Sequence, residues 1–81
     1  MTKVLLFGRL RDVAGWREKI LDPAPASLSA LRAWIAASFP DLAAALDGPG
    51  IQAAVDRQLV AGDVALASGA EVAFLPPMSG G

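Results

Sequence analysis

The stretch Glu71-Val72-Ala73-Phe74-Leu75-Pro76-Pro77-Met78-Ser79-Gly80-Gly81 joins a short β-forming run to two prolines and a pair of glycines. Pro77 cannot donate a backbone hydrogen bond, fixes its own φ and biases Pro76 towards extended geometry. The pair therefore ends a strand and makes a stiff exit. Gly80 and Gly81 lack a Cβ and fit a slot that any other residue would block. Four residues beyond Pro77 reach roughly 13 Å when extended, at about 3.3 Å each. The expected shape is a thin flexible probe, residues 76–81, ending in a carboxylate and leaving a folded domain, residues 1–75. A Gly-Gly end taken alone also reads as a frayed terminus. The strand and the two prolines in front of it favour a working tail.

Working outward, 81 residues make one small domain. A hydrophobic content of 54% against 19% charged is too apolar for a disordered chain. No apolar run approaches the roughly 20 residues of a membrane span. Met1-Thr2-Lys3 leads into a strand-like segment with no signal-peptide pattern. A cytoplasmic protein with no membrane partner is expected. The chain contains no Cys and no His. Thiol catalysis, disulfides, zinc sites and imidazole acid–base chemistry are thereby excluded, and no metal site is expected. The formal net charge of −1 argues against nucleic acid as a partner.

Upstream, Lys3 to Leu10 reads as a strand, and Arg11 to Trp16 as a loop or a single helical turn ending near Gly15. Arg17 to Asp22 reads as a more polar strand near a sheet edge, forming a hairpin with the first and closed by Pro23 and Pro25. Ser27 is an N-cap candidate for an amphipathic helix to about Ser38, with Leu28, Leu31, Trp34, Ile35 and Phe39 on its apolar face and Arg32 on the other. Trp34 at this spacing is a core residue. Pro40 stops the helix, and Asp41 to Leu46 reads as a short second helical piece before Asp47-Gly48. Ile51 to Val55 and Gln58 to Val60 are strands around a tight Asp56-Arg57 turn. Ala61-Gly62-Asp63 and Ser68-Gly69 bracket a compact loop that contains Leu66, and Glu71 to Leu75 is the last strand.

The main order is β-β-α-β-β-β, an α+β domain with one helix covering one face of a mixed sheet of about five strands. The first and last strands are the most apolar, which places them side by side in the centre, parallel. Strand alternation then puts Lys3, Leu5 and Phe7 on the open face with Glu71, Ala73 and Leu75, while Val4, Leu6, Val72 and Phe74 face the helix. With Leu59 added, Phe7, Leu59 and Leu75 form an exposed apolar patch beside the tail, of the kind that marks partner surfaces. With the opposite parity they are ordinary core residues.

Leu6-Phe7-Gly8-Arg9-Leu10-Arg11-Asp12-Val13-Ala14-Gly15, Val55-Asp56-Arg57-Gln58-Leu59-Val60 and Gly69 to Gly81 together resemble the small, sulfur-carrier subunits of molybdopterin synthase. The likeness spans the whole chain. Its specific part is the acidic-Val-Ala-Phe-x-Pro-Pro-x-x-Gly-Gly ending. A Gly-Gly end alone is shared with ubiquitin and with the thiamine-pathway sulfur carrier. Two departures are small: Asp56 stands where Asn is usual, and Ala70 where Asp is usual.

The resemblance implies a ubiquitin-like β-grasp fold and a mechanism centred on the Gly81 carboxylate. A ubiquitin-activating-type adenylyltransferase joins that carboxylate to AMP, using ATP, and sulfur from a persulfide replaces AMP to leave a thiocarboxylate. The large catalytic subunit, paired in a heterotetramer of two small and two large subunits, accepts the tail, and the sulfur attacks cyclic pyranopterin monophosphate. No permanently bound cofactor is implied. Gly80 lets the tail thread, Pro76 and Pro77 hold its direction, and Met78 and Ser79 travel with it into the partner. Phe7, Leu59 and Leu75 match docking positions, and the side chains that move protons are expected on the large subunit. Arg9 and Arg11 read either as docking aids or as solvated charges. A ubiquitin-like tag conjugated through Gly81, or a carrier of the thiamine type, uses the same activation chemistry and is the alternative.

Overall fold

The computed structural model describes residues 1–77. Eight elements follow one another: β1 (Thr2–Leu6), α1 (Arg9–Ala14), β2 (Glu18–Leu21), α2 (Leu28–Ser38), α3 (Pro40–Leu46), β3 (Gln52–Val55), β4 (Gln58–Val60) and β5 (Glu71–Leu75). The five strands form one mixed sheet in the order β2-β1-β5-β3-β4. β1 and β5 run parallel in its centre, with Val4 beside Val72 and Leu6 beside Phe74. The other neighbouring pairs are antiparallel. This is the β-grasp arrangement, with the more polar β2 at one edge as its composition demands.

Alternation on the central strands fixes the two faces. Val4, Leu6, Val72 and Phe74 are buried beneath α2, together with Leu28, Leu31 and Ile35 from that helix. Phe74 is fully buried, and removing an aromatic side chain of this size from water contributes roughly 2–3 kcal/mol. Trp34 is half-buried against this core and tilts onto Phe39 with ring centroids 5.7 Å apart. Arg32, expected on the solvent side of α2, instead lies over the Phe74 ring at 5.3 Å from its centroid. It is the guanidinium itself that faces the ring, a cation–π contact.

Two local readings are corrected. β1 stops at Leu6, not Leu10, because Gly8 turns the chain at φ 59° and Arg9 begins a helix of six residues. The expected single turn after Leu10 is thus a longer helix that starts earlier and buries Leu10. Pro40 does interrupt α2, and it also opens α3 as its first residue, where a missing N–H costs nothing.

Ser27 caps α2 by accepting a hydrogen bond from the Ala30 N–H at 3.1 Å. A second cap arrives from far along the chain. Asp63 accepts from the Ser29 backbone N–H at 2.8 Å and from the Ser29 hydroxyl at 2.9 Å. These two bonds, the backbone one first, hold the Asp63 carboxyl below the ordinary aspartate range. The folded value lies beneath the unfolded one, so the stabilisation is complete above the unfolded value and is lost as pH falls through the folded one. The Tm gap between the unaltered chain and Asp63→Asn is therefore expected at neutral pH and should close below about pH 4. A gap independent of pH in thermal melts contradicts this role for the charge.

Candidate functional site

The face of the sheet opposite α2 carries a trough whose shape follows from strand register. Leu5 pairs with Ala73, Ala73 with Ala54, and Ala54 with Leu59, so one row of side chains crosses four strands. The two alanines in the middle form a low floor, and the leucines at either end form walls. Phe7 extends the wall on the β1 side, and Arg57 extends it on the β4 side. Leu75 closes one end of the trough and Glu71 the other.

Phe7, Leu59 and Leu75, singled out by alternation, are thus brought together around one depression. Phe7 is 43% exposed and Leu59 is 61% exposed, large values for apolar side chains in a domain with an intact core. Leu75 is half-buried. Ala54 and Arg57 were not among the expected lining residues. Their signal was the register across β3 and β4, which a strand-by-strand reading leaves open. Arg57 reaches the wall because the β3–β4 turn is a two-residue hairpin in which Asp56 and Arg57 both have positive φ, 49° and 71°. Such a turn matches the twist of the strands but disfavours residues other than Gly, Asn or Asp. Here it is held from outside. The Asp56 N–H donates to the Glu71 carbonyl at 2.8 Å, and the Glu71 N–H donates to the Asp56 carboxylate at 3.0 Å. An aspartate in place of the usual asparagine therefore still ties the turn to the first residue of β5.

The trough points at the end of the chain. Leu75 is its last lining residue, and Pro76, half-buried, and Pro77, exposed, follow directly. Met78, Ser79, Gly80 and Gly81 lie outside the described residues. Arg9 and Arg11 are exposed on α1, and Arg11 Nε donates to the Gly8 carbonyl at 3.4 Å. Neither arginine lines the trough. Among the described residues, no three acidic side chains gather as a metal would require, and no helix is long and apolar enough to cross a membrane. Among the described residues, Arg57 and Glu71 are the charged side chains that line the trough. What it offers is a largely apolar surface of defined shape that leads to Pro76 and Pro77.

Residues 4–81 match the ThiS family. The chain belongs to the ThiS family. Over all 81 residues, and over the full length of both chains, it is 38% identical to the molybdopterin synthase sulfur carrier subunit of Escherichia coli K12. The crystal structure of small archaeal modifier protein 1 from Haloferax volcanii superposes with a TM-score of 0.83 at 28% identity, covering 99% of this chain and 98% of that one. The solution structure of the Methanosarcina acetivorans protein of the same name gives a TM-score of 0.84, covering 99% of this chain and 95% of that one, at 23% identity. That last likeness concerns the fold alone. As a ThiS-family member, the chain is a ubiquitin-like β-grasp protein of the sulfur-carrier kind.

Proposed function

We propose that this protein is the sulfur-carrier subunit of a molybdopterin synthase, with the main-chain carboxyl of Gly81 as the group that carries sulfur. The observation that carries the reading is the trough of Leu5, Phe7, Ala54, Leu59, Ala73 and Leu75 running directly into Pro76 and Pro77. It offers a docking face and a chain end that leaves from the edge of that face. The full-length likeness to a carrier subunit supports the same assignment.

The chemistry follows from the poverty of a carboxylate as an electrophile. An adenylyltransferase of the ubiquitin-activating type attaches AMP from ATP to the Gly81 carboxylate and releases pyrophosphate. The terminal sulfur of a persulfide then displaces AMP. Cleavage of the sulfur–sulfur bond by a second thiol leaves the thiocarboxylate on Gly81 and the donor as a disulfide. On the large subunit, the thiocarboxylate sulfur attacks a carbon of cyclic pyranopterin monophosphate, and one carbon–oxygen bond of the substrate breaks for each carbon–sulfur bond formed. Water cleaves the resulting thioester, so sulfur stays with the pterin and the carboxylate is restored. Two such deliveries make the dithiolene. The trough side chains hold the partner, Pro76 and Pro77 direct the tail, Met78, Ser79 and Gly80 thread it, and the proton-moving side chains belong to the large subunit. We place this activation in the cytoplasm.

The likeness to small archaeal modifier protein 1 favours a second reading, in which Gly81 forms an amide with lysines of other proteins. Intact mass separates the two. The chain is incubated with an activating enzyme, ATP and a persulfide donor. A gain equal to exchanging one oxygen for sulfur, mapped to Gly81, is expected. No gain, or a gain at another residue, contradicts the carrier reading. Recovery of Gly81 only in amide linkage to other proteins supports the modifier reading instead.

A further inference from the structure

The two prolines after β5 each meet a glycine from a different part of the chain. Gly8 stands in the β1–α1 turn at φ 59° and ψ −138°. Gly50 stands between α3 and β3 at φ 79°. A Cβ on Gly8 would lie 2.9 Å from Pro76 Cγ. A Cβ on Gly50 would lie 2.9 Å from Pro77 Cγ and 3.0 Å from Pro77 Cβ. Carbon atoms in good contact stand about 3.5–4.0 Å apart, so neither position has room for a side chain. Backbone conformation alone does not explain this. Gly15, Gly62 and Gly69 also have positive φ, between 74° and 85°, yet a Cβ on any of them would meet nothing within 4 Å.

Topology turns the two contacts into a clamp. β1 and β3 are the strands on either side of β5. β1 runs parallel to β5, so Gly8 lies just past the end of β1 at the level where β5 ends. β3 runs antiparallel, with Gln52 beside Leu75, so Gly50 lies just before β3 at that same level. Pro76 thus meets the β1 side and Pro77 the β3 side. The Gly8 side is itself anchored, because its carbonyl accepts from the Arg11 N–H at 3.2 Å and from Arg11 Nε at 3.4 Å.

We propose that Gly8 and Gly50 are positioning residues: they seat the Pro76 and Pro77 rings and thereby set the direction in which the tail leaves the sheet. The inference rests on the reading of the tail as the part that delivers sulfur. Because Gly8 follows Phe7 directly, one turn serves both the docking wall and the tail seat, which fixes the angle between a docked partner and the chain entering it.

The test uses the full-length chain. The first arm is a double-mutant cycle in thermal stability with Gly8→Ala, Pro76→Ala and the double variant. Pro76→Ala removes the Cγ at 2.9 Å and leaves a Cβ at 3.8 Å. The penalty for alanine at positive φ is the same with or without the ring and cancels in the cycle, leaving the clash. Gly8→Ala is expected to lower Tm by about 5 °C less when Pro76 is already alanine. Equal losses in the two backgrounds overturn the seat.

The second arm measures single-turnover sulfur delivery and affinity for the large subunit. Gly50→Ala should deliver at least about tenfold more slowly per folded molecule with affinity unchanged, and Gly8→Ala, whose turn also holds Phe7, should show the same loss of rate at saturating large subunit. A merely structural role lowers Tm and leaves that rate untouched. Should a glycine variant not fold, Pro76→Ala and Pro77→Ala empty the same seats without placing a side chain at positive φ, and the same loss of rate is expected. Delivery at the unaltered rate by the proline variants overturns the aiming role while the carrier reading stands. Coupling in the cycle, with an unaltered chain that takes up no sulfur, overturns the carrier reading and with it the aiming of delivery, while the seat remains.

Discussion

Deleting Gly81, or adding one residue after it, is expected to abolish sulfur delivery while leaving the folded domain and its affinity for the large subunit intact. The reason is geometric. One residue moves the terminal carboxyl by about 3.5 Å along an extended chain. A misplacement of about 1 Å at a reacting centre already costs on the order of 10²-fold in rate, so a loss well beyond that is expected. The stability of the domain resides elsewhere, in Val4, Leu6, Val72 and Phe74 beneath α2. The check is a single-turnover assay beside a thermal melt and a binding titration on the same preparations. A truncated or extended chain that still delivers sulfur shows that another atom carries it. A collapse of Tm shows that the tail is structural.

The second large effect is expected at Leu59. It is 61% exposed on β4 at the edge of the sheet, so Leu59→Asp should change folding stability by no more than about 0.5 kcal/mol. In the docked state the same carboxylate is pressed against the apolar partner that Leu59 would meet, with Arg57 the nearest cation in the same wall. Desolvating a polar group in that way costs at least about 1–3 kcal/mol, and a charge costs more. Affinity for the large subunit should fall about 10²-fold or more, which corresponds to about 2.7 kcal/mol. Calorimetric titration reads the loss. Unchanged affinity removes the trough from the interface. Leu59→Asp and the Gly81 deletion should fail in opposite ways, one in binding with delivery intact at saturation, the other in delivery with binding intact.

Much of this site was legible because strand alternation is a strong signal on apolar strands. Val72 and Phe74 against Glu71, Ala73 and Leu75 separate two faces, with only the parity left open, and the high apolar content of β1 and β5 places them together in the centre. Phe7 lay on the correct face for a partly mistaken reason. Continuous β-forming residues suggest a strand to Leu10, yet the strand ends at Leu6, and Phe7 stands between that end and the turn at Gly8. A glycine inside an apolar run was the available signal for that break. Features built from distant residues were not legible. Asp63 bonding Ser29, Asp56 bonding the Glu71 backbone and the rings of Pro76 and Pro77 against Gly8 and Gly50 all join separated segments. No local pattern records such pairs. Arg32 illustrates the same limit, since helical periodicity sends it to solvent and only the packed sheet shows Phe74 beneath it.

The central claim is that the main-chain carboxyl of Gly81, and no side chain of this protein, carries the transferred atom. It is tested most directly by loading Gly81 with isotopically labelled sulfur, mixing the carrier with the large subunit and cyclic pyranopterin monophosphate, and following the label through one turnover. The label is expected to leave the protein and appear in the dithiolene of the pterin product, with Gly81 returned as a plain carboxylate. Label retained on the chain, or Gly81 recovered in amide linkage to lysine with no labelled pterin, would contradict it.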